Sequence, residues 1–182
     1  MSNSGFALFN TAIGACGIGW GTGGIRFLQL PETDERATRA RIRRRFPGLE
    51  ESEPPAGVQH VIGEIVALLR GERTDLTGVG LDMDDVPDFN RRVYDVARSI
   101  PPGETMTYGE VAKRLGDPTA ARAVGQALGQ NPFAIIVPCH RVLGADRKPG
   151  GFSAGGGVKT KLKILSIEKA RIGGSRDLFD LV

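Results

Sequence analysis

A cysteine and a histidine stand side by side in the segment IIVPCHRVLG, residues 135–144. The 182-residue chain holds two cysteines and two histidines, so their meeting at Cys139 and His140 suggests chemistry. The pair predicts a thiolate nucleophile with its proton acceptor, because an ordinary thiol with a pKa of about 8.5 is mostly protonated at neutral pH. The structural alternative is a buried thiol beside a surface histidine.

The run before this pair, Ile135-Ile136-Val137, is apolar and β-branched, which predicts a buried strand leading to Cys139. Neighbouring side chains on a strand point to opposite faces of the sheet. A direct contact between Cys139 and His140 is therefore not expected on a strand. A turn in which a water bridges the two side chains is favoured instead.

Short helices are predicted on the N-terminal side of this segment. Asp88 would cap the helix DFNRRVYDVARSI, and Thr107 with Glu110 forms a capping box at the start of TYGEVAKRLG. Asp117-Pro118 predicts the start of the next helix. Two short helices joined by a tight turn are typical of a helix-turn-helix.

The third of these helices, TAARAVGQALGQ, is unusually rich in small residues. They are Ala120, Ala121, Ala123, Gly125, Ala127 and Gly129. Glycine inside a helix costs about 1 kcal/mol relative to alanine, so the pattern indicates close approach of a second backbone. That backbone belongs either to a packed helix or to a nucleic acid. If it belongs to a nucleic acid, Arg122 is the long side chain of this helix that could reach into it.

The composition is typical of a soluble globular protein, with 40% apolar and 25% charged residues. No apolar stretch is long enough to span a membrane, and the N-terminus MSNSGFALFN lacks the features of a signal peptide. Two cysteines cannot build a disulfide framework, so we expect free thiols in a cytoplasmic protein. Without a CxxC pair or a histidine cluster we expect no metal, and we expect no cofactor.

Charge is unevenly distributed along the chain. Residues 101–171 carry eleven Lys and Arg against five Asp and Glu, a net of +6 that leaves −3 for the rest of a chain whose total is +3. A basic segment favours a polyanionic partner. The arginine-rich run RATRARIRRRFPG, residues 36–48, predicts either a solvated helix face or a contact with nucleic acid.

Two domains are predicted from a change of pattern near residue 86. Residues 6–30 alternate short apolar runs with glycines, and GTGG predicts a hairpin turn between strands. The stretch 60–71, HVIGEIVALLRG, carries the apolar stripe of a helix. The acidic, turn-rich linker LTGVGLDMDDVPD then separates a domain over residues 1–86 from one over residues 87–182.

Residues 122–143, RAVGQALGQNPFAIIVPCHRVL, resemble the active-site segment of the O6-alkylguanine-DNA alkyltransferases, also called methylated-DNA–protein-cysteine methyltransferases. The resemblance extends through TYGEVAKRLGDP and GGFSAGGGVKTKLKILSIE, and so covers residues 88–170. It implies an α+β protein, with a small ribonuclease-H-like N-terminal α/β domain followed by a winged helix-turn-helix C-terminal domain. It also implies single-turnover DNA repair that moves the alkyl group of O6-alkylguanine, and of O4-alkylthymine as a further candidate, to Cys139.

The resemblance also implies the catalytic residues. In the family a thiolate attacks the alkyl carbon, a water links the thiol to a histidine, and a glutamate orients that histidine. The matching residues are Cys139, His140 and Glu168. Asn131 matches the hinge residue that ties the recognition helix to the active-site loop.

Further matches imply how the leaving guanine is held. Tyr108 would donate to the guanine ring and Ser153 to its oxygen, while Phe152 would form an aromatic wall. The main-chain carbonyls of Cys139 and Val142 would accept from the exocyclic amine, which distinguishes guanine from adenine.

The same resemblance implies how DNA is bound. Arg122 matches the residue that enters the base stack when the damaged base is flipped out. The matching minor-groove face consists of Ala120, Ala121, Ala123 and Gly125. The expected partner is double-stranded DNA containing O6-alkylguanine, bound by a monomer without membrane or metal, with cooperative binding left open.

Two other functions stay open on the sequence. A non-catalytic alkylated-DNA-binding relative would keep the fold but replace the cysteine, whereas Cys139 is present. A cysteine hydrolase would need Cys139 and His140 in direct contact, which strand geometry disfavours.

Overall fold

The computed structural model describes residues 3–150 and 157–173. Helices and strands occur together, which confirms the expected mixed α and β composition. The chain forms two compact units, the first made of Met1–Asp85 and Pro132–Ile136, the second of Val86–Asn131 and Val137–Val182. Among the described residues, no helix has the length and apolar character needed to cross a membrane.

The first unit is built on an antiparallel sheet in the order β1-β2-β3. Its strands are β1 (Gly5–Thr11), β2 (Gly14–Gly21) and β3 (Gly24–Gln29). Gly21 pairs with Gly24 across the second turn, so the predicted GTGG hairpin is confirmed. Gly24 has a φ of +120°, and an added Cβ would lie 2.7 Å from the Gly80 carbonyl oxygen, so this turn requires glycine.

Helices α1 (Glu35–Arg45) and α2 (Ala56–Leu69) belong to the same unit. The predicted helix over the arginine-rich run is confirmed as α1, and the Ala37 N–H donates to its N-cap Asp34 at 2.7 Å. Arg39 and Arg43 both form ion pairs with Glu51, so these two arginines lie on a helix face that is paired within the protein.

The core of the first unit lies between α1 and the sheet. Phe6, Phe27 and Ile42 are buried together, and Phe46 packs against them. The rings of Phe27 and Phe46 stack with their centroids 4.2 Å apart. This apolar cluster is what holds α1 on the sheet, because burial of such side chains is the main favourable term in folding.

The second unit contains the helices and strands that surround Cys139. They are α3 (Asp88–Arg98), β4 (Met106–Thr107), α4 (Tyr108–Arg114), α5 (Ala121–Gly129), β5 (Val142–Leu143) and α6 (Val158–Ile167), with β4 and β5 parallel. The predicted capping box starts α4: the Glu110 N–H donates to Thr107 Oγ1 at 3.1 Å, and the Thr107 N–H donates to the Glu110 carboxylate at 2.6 Å.

Two helix starts differ from the prediction. Asp88 does not cap α3; Pro87 is the N-cap, and Asp88 is the first helical residue, where its charge suits the helix dipole. The helix predicted to start at Pro118 starts at Ala121 instead, and Asp117 accepts from the Thr119 N–H at 3.0 Å in a turn before it. The helices α4 and α5 are joined by this turn.

The predicted strand Ile135-Ile136-Val137 is wrong, although the three residues are buried. Ile135 has a φ of 70°, and the Ile136 N–H donates to the Ala134 carbonyl at 2.8 Å, which are features of a classic γ-turn. A positive φ is rare for a β-branched residue. A short apolar run reports burial and not backbone conformation, which is why its pattern did not reveal the turn.

Candidate active site

The Cys139 thiol lies at the start of a 3-10 helix, Cys139–Arg141, that leads directly into β5. Pro138 has φ −80° and ψ 66°, and the Cys139 N–H donates to the Val137 carbonyl at 2.8 Å. This geometry is an inverse γ-turn. Cys139 is therefore presented by a tight turn, partly buried, and not by the end of an extended strand.

His140 is buried and bound to Glu168, the residue that follows α6. The His140 Nε2 atom lies 2.9 Å from Glu168 Oε1, and each side chain is 1% exposed. The other ring nitrogen, Nδ1, has no hydrogen-bond partner among the described residues. The structure thus joins two residues that are 28 positions apart and leaves one ring nitrogen pointing away from the carboxylate.

The surroundings of His140 and Glu168 favour a neutral ring beside an ionised carboxylate. Burial lowers the pKa of His140, although the charge of Glu168 and its hydrogen bond work in the opposite direction. Burial by itself would raise the pKa of Glu168, but the hydrogen bonds from His140 and Arg141 and the guanidinium charge of Arg141 outweigh it and lower that pKa. A neutral ring can accept a proton, which a charged ring cannot.

A buried lysine that the sequence-based prediction missed belongs to the same site. Lys161 is 1% exposed, and its Nζ donates to the Val142 carbonyl at 2.7 Å. The same Nζ lies 6.0 Å from the centre of the Tyr108 ring. Burial lowers the pKa of Lys161 and the charge of Cys139 raises it, so the ammonium is favoured when the thiolate is present.

Burial raises the pKa of the Cys139 thiol above its ordinary value. The hydrogen bond of the Asn131 side chain, the charge of Lys161 and the backbone N–H groups of Cys139 and His140 all lower that pKa, in this order of importance. The thiol is therefore protonated at neutral pH. A thiolate that forms there is stabilised by a cation and by several hydrogen-bond donors.

Asn131 connects the end of α5 with the turn that presents the thiol. Its side-chain amide donates to the Val137 carbonyl at 2.9 Å, immediately before Pro138. The C-cap of α5 is the preceding residue, Gln130. This side chain therefore links the residue after the C-cap of α5 to the turn at Cys139.

Two tyrosines come close enough to Cys139 to be affected by its charge. Burial, followed by the charge of Cys139, raises the pKa of Tyr108, so this half-buried phenol can donate a hydrogen bond at neutral pH. Burial raises the pKa of Tyr94 to about 12, and its hydroxyl donates to the Ala127 carbonyl at 3.0 Å. Tyr108 can therefore donate a hydrogen bond from its hydroxyl to a ligand, whereas the Tyr94 hydroxyl already donates to α5.

Among the described residues, each of the two carbonyls predicted to recognise guanine accepts a hydrogen bond from within the protein. The Val142 carbonyl accepts from Lys161, and the Cys139 carbonyl accepts from the Val142 N–H. A carbonyl oxygen has two lone pairs, so each can accept once more from a ligand. The predicted base-contacting residues Phe152 and Ser153 lie outside the described residues.

Two long side chains of the small-residue helix α5 are exposed, the cationic Arg122 near its start and the neutral Gln126 one turn later. Its small residues Ala120, Ala121, Ala123 and Gly125 are partly buried. An added Cβ would lie 3.9 Å from the Tyr108 ring at Gly125, an ordinary contact, and would meet no described atom within 4 Å at Gly129. Packing within the described part of the chain therefore does not require glycine at either position.

Lys161 could have been found in the sequence from the phase of α6, which also places the predicted Glu168 on the buried face. The buried face of this helix and its C-cap is formed by Lys161, Ile164, Leu165 and Glu168. This spacing of i, i+3, i+4 and i+7 is the apolar stripe of a helix, and charged residues are seldom buried unless they are paired. Two charges in phase with the stripe indicate a buried polar site.

Acid is expected to destabilise the protein through His140. Because the folded-state pKa of His140 is lowered, the unfolded chain binds the proton first as the pH falls below about 6.5, and the stability contributed by the buried neutral ring is lost. Urea unfolding from about pH 7 to about pH 5 should show a steeper loss for the wild type than for His140→Gln. His60→Gln removes an exposed ring and is the control; parallel curves for wild type and His140→Gln would contradict the prediction.

Comparisons with known proteins agree on the kind of protein that this chain resembles. The profile of the family described as "6-O-methylguanine DNA methyltransferase, DNA binding domain" matches residues 88–170. The methylated-DNA–protein-cysteine methyltransferase of Mycobacterium bovis is 45% identical over 126 residues, which is 69% of this chain and 74% of that protein.

Solved structures extend the similarity to nearly the whole chain. The crystal structure of Mycobacterium tuberculosis O6-methylguanine methyltransferase has a TM-score of 0.71 and 33% identity, covering 94% of this chain and 96% of that one. The structure of Mycobacterium tuberculosis OGT in complex with DNA also has a TM-score of 0.71, with 36% identity over 96% of this chain and 99% of that one.

Proposed function

This chain belongs to the methylated-DNA–protein-cysteine methyltransferases, and we propose that it repairs DNA by moving the alkyl group of O6-alkylguanine irreversibly to Cys139. The observation that carries the proposal is the arrangement around the thiol. Lys161, which donates to the Val142 carbonyl, and His140, which is bound to Glu168, lie beside one partly buried cysteine.

The proposed reaction is a single displacement at carbon. The Cys139 sulfur forms a bond to the alkyl carbon while the bond from that carbon to guanine O6 breaks. The thiol proton passes to His140 Nδ1 through a water, and the departing guanine anion takes up a proton or hydrogen bond, for which Tyr108 is the donor. The thioether that forms is stable to water, so one chain acts once.

Recognition of guanine in this proposal uses two main-chain carbonyls and two side chains. The Cys139 and Val142 carbonyls accept from the exocyclic amine, Ser153 donates to the oxygen, and Phe152 covers the ring. Asn131 keeps the turn at Cys139 in register with α5, as supported by its bond to the Val137 carbonyl.

DNA binding in this proposal uses α5. The partner is double-stranded DNA, and a monomer inserts α5 into the minor groove, where Ala120, Ala121, Ala123 and Gly125 permit close approach. Support comes from the absence of a packing requirement for glycine at Gly125 among the described residues. The exposed Arg122 would fill the space left by the flipped base.

The finer architecture is part of the same proposal. A domain over residues 1–86 with a ribonuclease-H-like fold would precede a winged helix-turn-helix domain over residues 87–182 that carries both DNA binding and alkyl transfer. The free thiols Cys16 and Cys139 support a cytoplasmic location.

Arg122→Ala is expected to slow repair of duplex DNA by roughly ten-fold or more, because an extruded base loses a few kcal/mol of stacking and each 1.4 kcal/mol is a factor of ten. The same variant should react at nearly the wild-type rate with free O6-benzylguanine, which needs no extrusion. Single-turnover rates on the two substrates are the measurement.

The control for this prediction is Arg70→Ala, which removes one exposed arginine charge at the end of α2. It should leave both rates unchanged. Equal losses on duplex and free base for Arg122→Ala would show that Arg122 supports the fold and that α5 has no special role in extrusion.

The function itself is tested by intact mass after incubation with duplex DNA containing O6-methylguanine. The expected result is addition of one methylene to the mass of the chain, mapped to Cys139, and no addition with unmodified DNA. Binding without a mass change would favour a non-catalytic alkylated-DNA-binding protein. Hydrolysis of an activated ester without alkyl transfer would favour a cysteine hydrolase.

A further inference from the structure

Arg141 is buried, and the nitrogens of its guanidinium group form hydrogen bonds with partners on two sides. Its Nε lies 3.0 Å from Glu168 Oε2, and its Nη2 lies 2.7 Å from Glu168 Oε1. Its Nη1 donates to the Ile100 carbonyl at 2.6 Å. A two-point contact between arginine and a carboxylate is strong and geometrically specific, and the side chains of this pair are 6% and 1% exposed.

The Glu168 carboxylate therefore serves two partners. Oε1 lies 2.9 Å from His140 Nε2 while the same atom accepts from Arg141. An ionised carboxylate can only accept hydrogen bonds. The proton between Glu168 and His140 must then reside on Nε2, and in a neutral ring Nδ1 is left as the acceptor.

We propose that Arg141 is a positioning residue for proton transfer: it keeps Glu168 ionised and shares its charge, so that His140 rests neutral with its proton on Nε2 and can accept the Cys139 proton at Nδ1. This inference rests on the proposed function, because it assigns the state of the proton acceptor in that reaction. It adds a residue that touches neither the thiol nor the alkyl group.

Several charged or ionisable groups lie near His140, and they determine the effect of the contact between Arg141 and Glu168 on the ring. Glu168 and Lys161 face the ring from the side of α6, and Arg141 and Cys139 lie beside it on the 3-10 helix. Tyr94 from α3 and Tyr108 from α4 lie within range of the Cys139 charge.

Among the groups around His140, the Glu168 charge raises the pKa of the ring, while Arg141 and Lys161 lower it. Without Arg141, the full carboxylate charge would act on the buried imidazole and favour the charged ring. A charged ring has a proton on Nδ1 and cannot accept another.

The chain is well suited to a direct test because it contains two histidines, His60 and His140. The His60 side chain is 77% exposed and provides an internal reference. Nitrogen and carbon NMR of the two rings, recorded without DNA, distinguishes the neutral Nε2–H form, the neutral Nδ1–H form and the charged form. The wild type is expected to keep His140 neutral with the proton on Nε2 from about pH 6 to about pH 8, the range in which unperturbed histidine titrates.

Two variants separate charge sharing from a purely structural role. Arg141→Gln should move the His140 titration upward by about one pH unit or more, the usual effect of an unshared neighbouring charge. Arg141→Lys keeps the charge and should restore most of the wild-type titration. The acid limb of alkyl transfer from free O6-benzylguanine should move to higher pH in Arg141→Gln and much less in Arg141→Lys.

Several outcomes would overturn the inference. A charged His140 or an Nδ1–H form at neutral pH in the wild type contradicts it without any variant, and so remains decisive if Arg141→Gln does not fold. An unchanged His140 titration in folded Arg141→Gln also contradicts it. Failure of the proposed function is recognised separately, since methyl transfer in the mass assay would be missing while the NMR results were as expected.

Discussion

Cys139→Ala is expected to bind duplex DNA containing O6-methylguanine and to transfer no methyl group, whereas the wild type takes up one group per chain and then stops. The physical reason is the product. A thioether bond to carbon is not released by water at neutral pH, and the proposed mechanism includes no second nucleophile that would restore the thiol. Intact mass and quantitative burst measurements with excess substrate check both statements.

The second cysteine is the matched control for this experiment. Cys16 is buried in β2, and burial, partly offset by a hydrogen bond with the Thr11 hydroxyl, raises its pKa to about 12. Cys16→Ala should therefore retain one methyl group per chain. More than one turnover per wild-type chain, or methyl transfer by Cys139→Ala, would contradict the assignment of Cys139 as the irreversible acceptor.

Lys161→Met is expected to slow alkyl transfer at neutral pH by roughly ten- to a hundred-fold, because a nearby opposite charge typically favours an ionised group by this much. Methionine has a similar length without the charge. Loss of the ammonium removes a group that lowers the pKa of the Cys139 thiol. That pKa should rise further, and the rate should recover as the pH is raised toward it.

The pH dependence distinguishes this effect from a loss of packing. The measurement is the rate with free O6-benzylguanine at several pH values, together with thiolate absorbance in the ultraviolet. Lys163→Met alters an exposed lysine on the same helix and should match the wild type. A Lys161→Met deficit that stays constant from neutral to alkaline pH would mean that Lys161 acts by holding the Val142 carbonyl and not by stabilising the thiolate.

Local features of the chain were readable because they depend on neighbours within a few residues. The GTGG hairpin and the capping box of Thr107 and Glu110 are each completed by groups at most three residues apart. Cys139 and His140 are also neighbours in the sequence, and the resemblance carried by PCHRV predicted their chemistry. The family assignment made from this segment is confirmed by the relatives.

Contacts between distant parts of the chain required the tertiary structure. Arg141 meets Glu168 and Ile100, which are 27 and 41 positions away, and no periodic pattern marks an arginine next to a histidine as the partner of either. Lys161 has the spacing of the apolar stripe of α6. Its residue type alone does not distinguish it from Lys159 and Lys163 on the same helix. The γ-turn at Ile135 replaced a strand because both conformations bury the same apolar side chains.

The sequence by itself determined the local helix signals and the family, and through the family resemblance it predicted the nucleophile and the histidine beside it. The tertiary structure alone decided which ionisable groups are buried together and therefore which of them are charged. The physical reason is that the protonation state of a buried group depends on desolvation and on neighbouring charges within a few ångströms. Those neighbours of Cys139 and His140 come from segments far apart in the chain, and packing brings them together.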